Sequence, residues 1–220
     1  MWPLIKKELI VQKKLLLFGL FYAAFLFFVL SNPVFREFNY SMAASGIAYI
    51  TLIGVAQAEY KNNSDIIINS LPLTRRVVVA AKYLSILAFT IIALLLVGAV
   101  GLIFHFLLPV LNHRLLNTFD IITTTVSITL LAAVSLPIYF KTSAQWTRVV
   151  NVVIFLIIFF APAQLIGYLA QNGQDPWVGS LVGLAGNQNW LLSLTGLAVL
   201  MVILFISYFI SLRIYLNKDF

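Results

Sequence analysis

The stretch VVVAAKYLSILAFTIIALLLVGAVGLIFHFL, residues 77–107, decides the fold. A helix of about 20 apolar residues crosses the hydrocarbon core of a bilayer. This run is longer than that, so it is expected to span the membrane and either tilt or extend into the cytoplasm. Working outward from it, further apolar runs fall at 15–30, 41–58, 119–140, 149–170 and 190–215. The chain is therefore expected to be an all-α integral membrane protein with six transmembrane helices. Composition agrees. Of 220 residues 62% are hydrophobic and 10% charged, against roughly 45–50% and about 25% in soluble domains, which excludes a soluble monomer. Six spans use roughly 120 residues, and the remainder suffices for loops but not for a soluble domain. The chain then reads as a single transmembrane domain, 1–220, and any ATPase or kinase module must sit on another chain.

Charge placement gives the orientation. With the N-terminus inside, Lys6, Lys7, Lys13, Lys14, Lys61, Arg75, Arg76, Lys82, Lys141, Arg148, Arg213 and Lys218 are cytoplasmic, and only Arg36 and Arg114 lie outside. Basic residues hold loops on the cytoplasmic side, so both termini are expected there. The net charge of +7 follows from this bias and does not point to nucleic acid. The opening lysines and the run 15–30 resemble a signal peptide, yet no small-residue cleavage site precedes Ser31-Asn32-Pro33, and the run is read as a retained helix.

Residues 1–14 place Trp2, Ile5 and Leu9 on one helical face and suit an interfacial elbow helix, or a plain basic flank. In the second run Ser41/Ser45, Ala44/Ala48 and Gly54/Ala58 are small residues one turn apart, which let helices approach closely, within the subunit or across a dimer. The connection 59–76, EYKNNSDIIINSLPLTRR, is the longest cytoplasmic loop. Ser64 or Asp65 suits the cap of a short helix carrying Ile66, Ile67 and Ile68; Asn69-Ser70 and Pro72 end it, and Thr74 suits the cap of the next helix. Three isoleucines between polar residues suggest a knob for a socket on another protein, or side chains lying on the membrane surface. Arg75 and Arg76 fall in a first helical turn, where cations oppose the helix dipole; anionic lipid or acidic groups on a partner would account for them.

The fourth run carries Thr123, Thr124, Thr125, Ser127, Thr129 and Ser135, then Pro137. Such a hydroxyl-rich face looks toward protein or a path, or bonds back to its own carbonyls. In the fifth run Pro162 interrupts the helix, and Gln164 beside it needs a partner. The segment 171–189 is glycine-rich yet holds the apolar stretch Trp177–Leu184, too short to span but suited to an outer re-entrant element.

The sequence lacks several chemistries. There is no cysteine, which excludes disulfides, thiol catalysis and Cys-ligated metal. His105 and His113 have no carboxylate companion, so no metal site is expected. No HExxH, GxSxG or GxxxxGK[ST] motif occurs, leaving no catalytic residues and no nucleotide loop on this chain. The acids fall in loops or at span edges, which disfavours an ion-coupled carrier.

The basic N-terminal segment, six spans with both ends inside, the long first cytoplasmic loop, and the stretch Asn69-Ser70-Leu71-Pro72-Leu73-Thr74-Arg75-Arg76 with Ala81-Lys82-Tyr83-Leu84 resemble the ABC-2 family of exporter membrane subunits. Within it the chain is most similar to small bacterial permeases that export amphipathic peptides, such as phenol-soluble modulins, or confer peptide-antibiotic resistance. The resemblance implies a bacterial plasma-membrane location, a second permease subunit, identical or homologous, and a separate P-loop ATPase chain holding ATP and magnesium. It makes Asp65, Ile66, Ile67, Ile68, Asn69 and Leu71, with Arg75 and Arg76, the surface seated in the ATPase. Phe21, Phe25, Thr125, Thr129 and Gln164 are expected to line a mostly apolar path for lipophilic or amphipathic cargo, with membrane lipid around it. A non-transporting interaction, immunity or sensor subunit is the alternative: it would use the same loop against a different partner.

Overall fold

Backbone amides in hydrocarbon find no water, so an apolar run must satisfy its own hydrogen bonds and becomes a helix. The structure, a computed structural model, describes residues 2–29, 38–62, 73–107, 114–142, 146–147, 149–157 and 190–217. Its helices are α1 (Trp2–Val29), α2 (Asn39–Lys61), α3 (Arg75–Leu107), α4 (Thr118–Lys141), α5 (149–157) and α6 (Trp190–Leu216). Five of them, α1 to α4 and α6, are long and apolar enough to cross a membrane. The expected fifth span, 149–170, is described only as far as residue 157, and the re-entrant segment 171–189 lies outside the described residues.

One expected boundary is not there. Residues 1–14, expected as an elbow helix ahead of the span 15–30 or as a plain basic flank, instead continue into it: α1 runs unbroken from Trp2 to Val29. Pro3 stands in the first turn, where a missing N–H costs nothing, and Lys6, Lys7, Lys13 and Lys14 are good helix formers. Nothing between them stops the helix. Its inward face is Ile5, Glu8, Gln12, Gly19, Ala23 and Phe27, all buried.

α1, α2 and α3 pack against one another, α4 packs on α6, and the two groups are joined by α2, which touches α4, and by α3, which touches α4 and α6. At 33 residues α3 is about 50 Å long, longer than the hydrocarbon core. The small residues of α2 face inward: Ala43, Ala44, Ser45 and Ala48 are all at most 2% exposed. They serve close packing inside this chain. At Gly54 an added Cβ would lie 2.6 Å from Gln12 Oε1 and run into the Leu15 side chain, so glycine there sets how closely α2 approaches α1.

α4 contains Pro137 yet continues to Lys141. A proline frees the carbonyl four residues back, here that of Ala133. Ser207 of α6 donates its hydroxyl to that oxygen at 2.6 Å. The defect in one helix is thereby the attachment point of another.

The end of the bundle opposite the 59–76 loop has its own polar knot. Arg114 holds Asp120 with two parallel bonds of 2.6 and 2.7 Å, and Asp120 also accepts from the Asn117 backbone in a capping box that starts α4. Tyr40 of α2 donates to the Arg114 carbonyl at 2.8 Å. Asp120 is fully buried, which is tolerable because its charge is paired and bonded.

Candidate functional site

The loop end of the bundle holds a buried ion cluster built from four helices. Lys82 of α3 pairs with Glu8 of α1 at 2.8 Å and with Glu59 of α2. Tyr139 of α4 donates to the same Glu59 oxygen, Oε2. Lys7, at the rim, reaches the other oxygen of Glu59 at 3.3 Å. Glu8 and Glu59 are 5% exposed and Lys82 is 6% exposed. Three charges at this depth are stable only together, since removing one partner leaves an uncompensated buried charge.

Tyr83 follows Lys82 and points about 100° round the helix. Its hydroxyl bonds Ser207 at 2.6 Å and Ser211 at 2.9 Å on α6. The Lys82-Tyr83 pair thus ties α3 to α1 and α2 on one side and to α6 on the other.

Both roots of the 59–76 loop are anchored. At the entry root Glu59 belongs to the ion cluster, and Tyr60 donates to the Thr142 carbonyl at 2.7 Å. At the exit root Arg75 donates from Nη1 to the carbonyls of Tyr215 and Leu216, at 3.2 and 2.7 Å. Those are among the last carbonyls of α6, which lack partners within their own helix and carry its negative dipole end. This corrects the expectation that lipid or a partner must account for Arg75: the guanidinium caps a neighbouring helix. Arg76 is exposed. The Thr74 carbonyl accepts from the backbone of Val77 and Val78.

Behind the ion cluster lies a cavity of about 30 Å³. Glu8, Lys82 and Tyr139 form its polar edge together with Ser135 and Asn151, and Leu52, Ile86, Phe89 and Leu136 form apolar wall.

The remaining expected site residues are not brought together. Phe21 and Phe25 are 70% and 62% exposed on the outer face of α1, away from the core. Thr125 is partly buried and returns its hydroxyl to the Ile121 carbonyl at 2.7 Å. Thr129, one turn on from Thr125, is buried, as is Thr124. Asp65, Ile66, Ile67, Ile68, Asn69, Leu71 and Gln164 lie outside the described residues. Among the described residues no three His, Cys, Asp or Glu side chains come together as a metal would need.

Glu8, Glu59 and Tyr139 were missed as site residues, and Lys82 was noted as a cytoplasmic charge and as part of the Ala81–Leu84 stretch but not as a site residue. A signal was available: Lys82 lies inside an otherwise uncharged run, where an ionisable side chain needs a named partner.

A helical bundle that crosses the membrane several times, with an anchored loop at one end, defines a polytopic membrane subunit. The family model of the ABC-2 family transporter protein matches residues 3–216. The chain belongs to the ABC-2 family: it is a multi-pass permease subunit of the plasma membrane, and such subunits normally work with an ATP-binding subunit and are generally non-catalytic. Neither the curated proteins nor the solved structures give a match.

Proposed function

We propose that this chain is the permease of an ATP-driven exporter that moves amphipathic or lipophilic cargo, peptides included, out of the cell by alternating access. The loop 59–76 seats in a separate P-loop ATPase through Asp65, Ile66, Ile67, Ile68, Asn69 and Leu71, with Arg76 at its edge. ATP and magnesium stay on that partner, and a second permease copy or homologue completes the membrane unit. The carrying observation is the anchoring of both loop roots, Glu59 in the ion cluster and Arg75 on the end of α6. Roots so held would pass a displacement of the loop to α1, α2, α3 and α6 as a lever.

The test is extraction of the tagged chain in mild detergent and identification of stoichiometric companions by mass spectrometry. The expected result is one P-loop ATPase per permease, lost together with export when Ile66, Ile67 and Ile68 are all changed to alanine. A companion without a nucleotide site would sink the reading in favour of a non-transporting interaction subunit.

A further inference from the structure

We infer that the cavity behind Glu8 is a recognition site for the primary-ammonium head of an amphiphile; as a statement about cargo this rests on the exporter reading above. Among the described residues three polar atoms on its wall have no hydrogen-bond partner: Glu8 Oε2, Ser135 Oγ and Asn151 Oδ1. Their side chains are 5%, 1% and 1% exposed, so bulk water does not serve them. A primary ammonium brings three donors and no acceptor, one for each of these oxygens.

Charge selects the same head group. The buried part of the cluster holds two carboxylates, Glu8 and Glu59, against one ammonium, Lys82, which is already directed at both. Among the described residues Lys7 reaches only Glu59, and it is 36% exposed, so solvent screens it. An anionic head entering the cavity would meet a net negative wall, and a neutral alcohol has one donor for three acceptors. The cavity volume of about 30 Å³ matches a group of water size. Leu52, Ile86 and Phe89 form its apolar wall, which suits the carbon that carries the head group. A few convergent polar groups on an apolar cavity are the ordinary make-up of a small-ligand site.

The chain contains no cysteine, so Ser85→Cys on the cavity wall supplies a single thiol and leaves the three acceptors in place. With this variant in phosphatidylcholine nanodiscs, the rate of modification by methyl methanethiosulfonate is measured with hexylammonium, hexanoate or hexanol present. Hexylammonium is expected to protect the thiol and the other two are not. Glu8→Gln is expected to weaken the protecting affinity by roughly tenfold, the weight of one hydrogen bond to a charged group. Asn151→Leu, which spares the ion cluster, must weaken it too, so a folding failure of the glutamate variant does not decide the matter. Equal protection by all three probes means apolar filling only, and no protection means a water site only; either overturns the proposal. The assay contains neither ATPase nor transport, so it stands even if the companion experiment fails. Normal export by a chain carrying Asn151→Leu, with protection lost, would detach the site from cargo and overturn it in that role.

Discussion

At the scale of single residues, Lys82 has the largest structural consequence. Its ammonium is buried against two carboxylates from two other helices, and deleting it leaves those carboxylates facing each other. Lys82→Met is expected to destabilise the chain by about 3–5 kcal/mol, seen as a fall in the Tm of the detergent-purified protein. Adding Glu8→Gln and Glu59→Gln is expected to recover most of the loss, because the uncompensated charge goes with them. The cluster was hard to read in the sequence for a physical reason. Counting basic residues by loop sorts them by side of the membrane and ignores helical phase, and phase is what turns Glu8 and Lys82 toward each other. Once α1 is known to be continuous, Ile5, Glu8, Gln12 and Gly19 fall on one inward face, and a glutamate there requires a cation. Arg75 was misjudged similarly: its own helix dipole disfavours it, but the dipole it serves belongs to α6.

At the scale of elements, hydrophobic run length carried most of what was legible. The runs at 41–58, 77–107, 119–140 and 190–215 fall within described helices, and 15–30 does so as far as residue 29. Run length alone cannot show where an amphipathic lead-in ends and a span begins, so α1 was divided in two. The small residues of α2 announced close packing, and only the three-dimensional arrangement says against what. Pro137 was legible as a breaker, whereas its compensation by Ser207, 74 positions from the freed carbonyl, was not. This pairing makes a specific prediction. Ser207→Ala alone should cost on the order of 0.6–1.7 kcal/mol, the range of hydrogen bonds between membrane helices. In a Pro137→Ala background the α4 ladder reclaims the Ala133 carbonyl, and the same serine change should cost markedly less. A double-mutant cycle on thermal stability measures that coupling; additive losses would show that serine and proline act independently.

At the scale of the whole molecule, the two ends differ in kind. The loop end holds the ion cluster with its cavity and both loop roots; the opposite end holds the Arg114–Asp120 knot that starts α4 and receives Tyr40 from α2. From the distribution of basic residues the loop end is expected in the cytoplasm. In a chain without cysteines this orientation is directly measurable. Leu115→Cys should react with a membrane-impermeant maleimide on intact cells, and Lys61→Cys should react only after permeabilisation; the reverse pattern would invert the topology. α2 and α3 both contact the two helix groups, so no displacement of one group leaves them unmoved.

The bond between Arg75 and the end of α6 also imposes an order of events during synthesis. Its partners are separated by up to 141 positions, which a ribosome working at about 5–20 residues per second covers in roughly seven to thirty seconds. Through that interval the exit root of the loop waits for its anchor while the entry root, with Glu8, Glu59 and Lys82 all made early, can already close. A nascent chain interrupted before α6 would present the loop with one root set and the other loose. If the loop docks the partner as proposed, complete anchoring of its seat requires that the later helix has already been made and inserted.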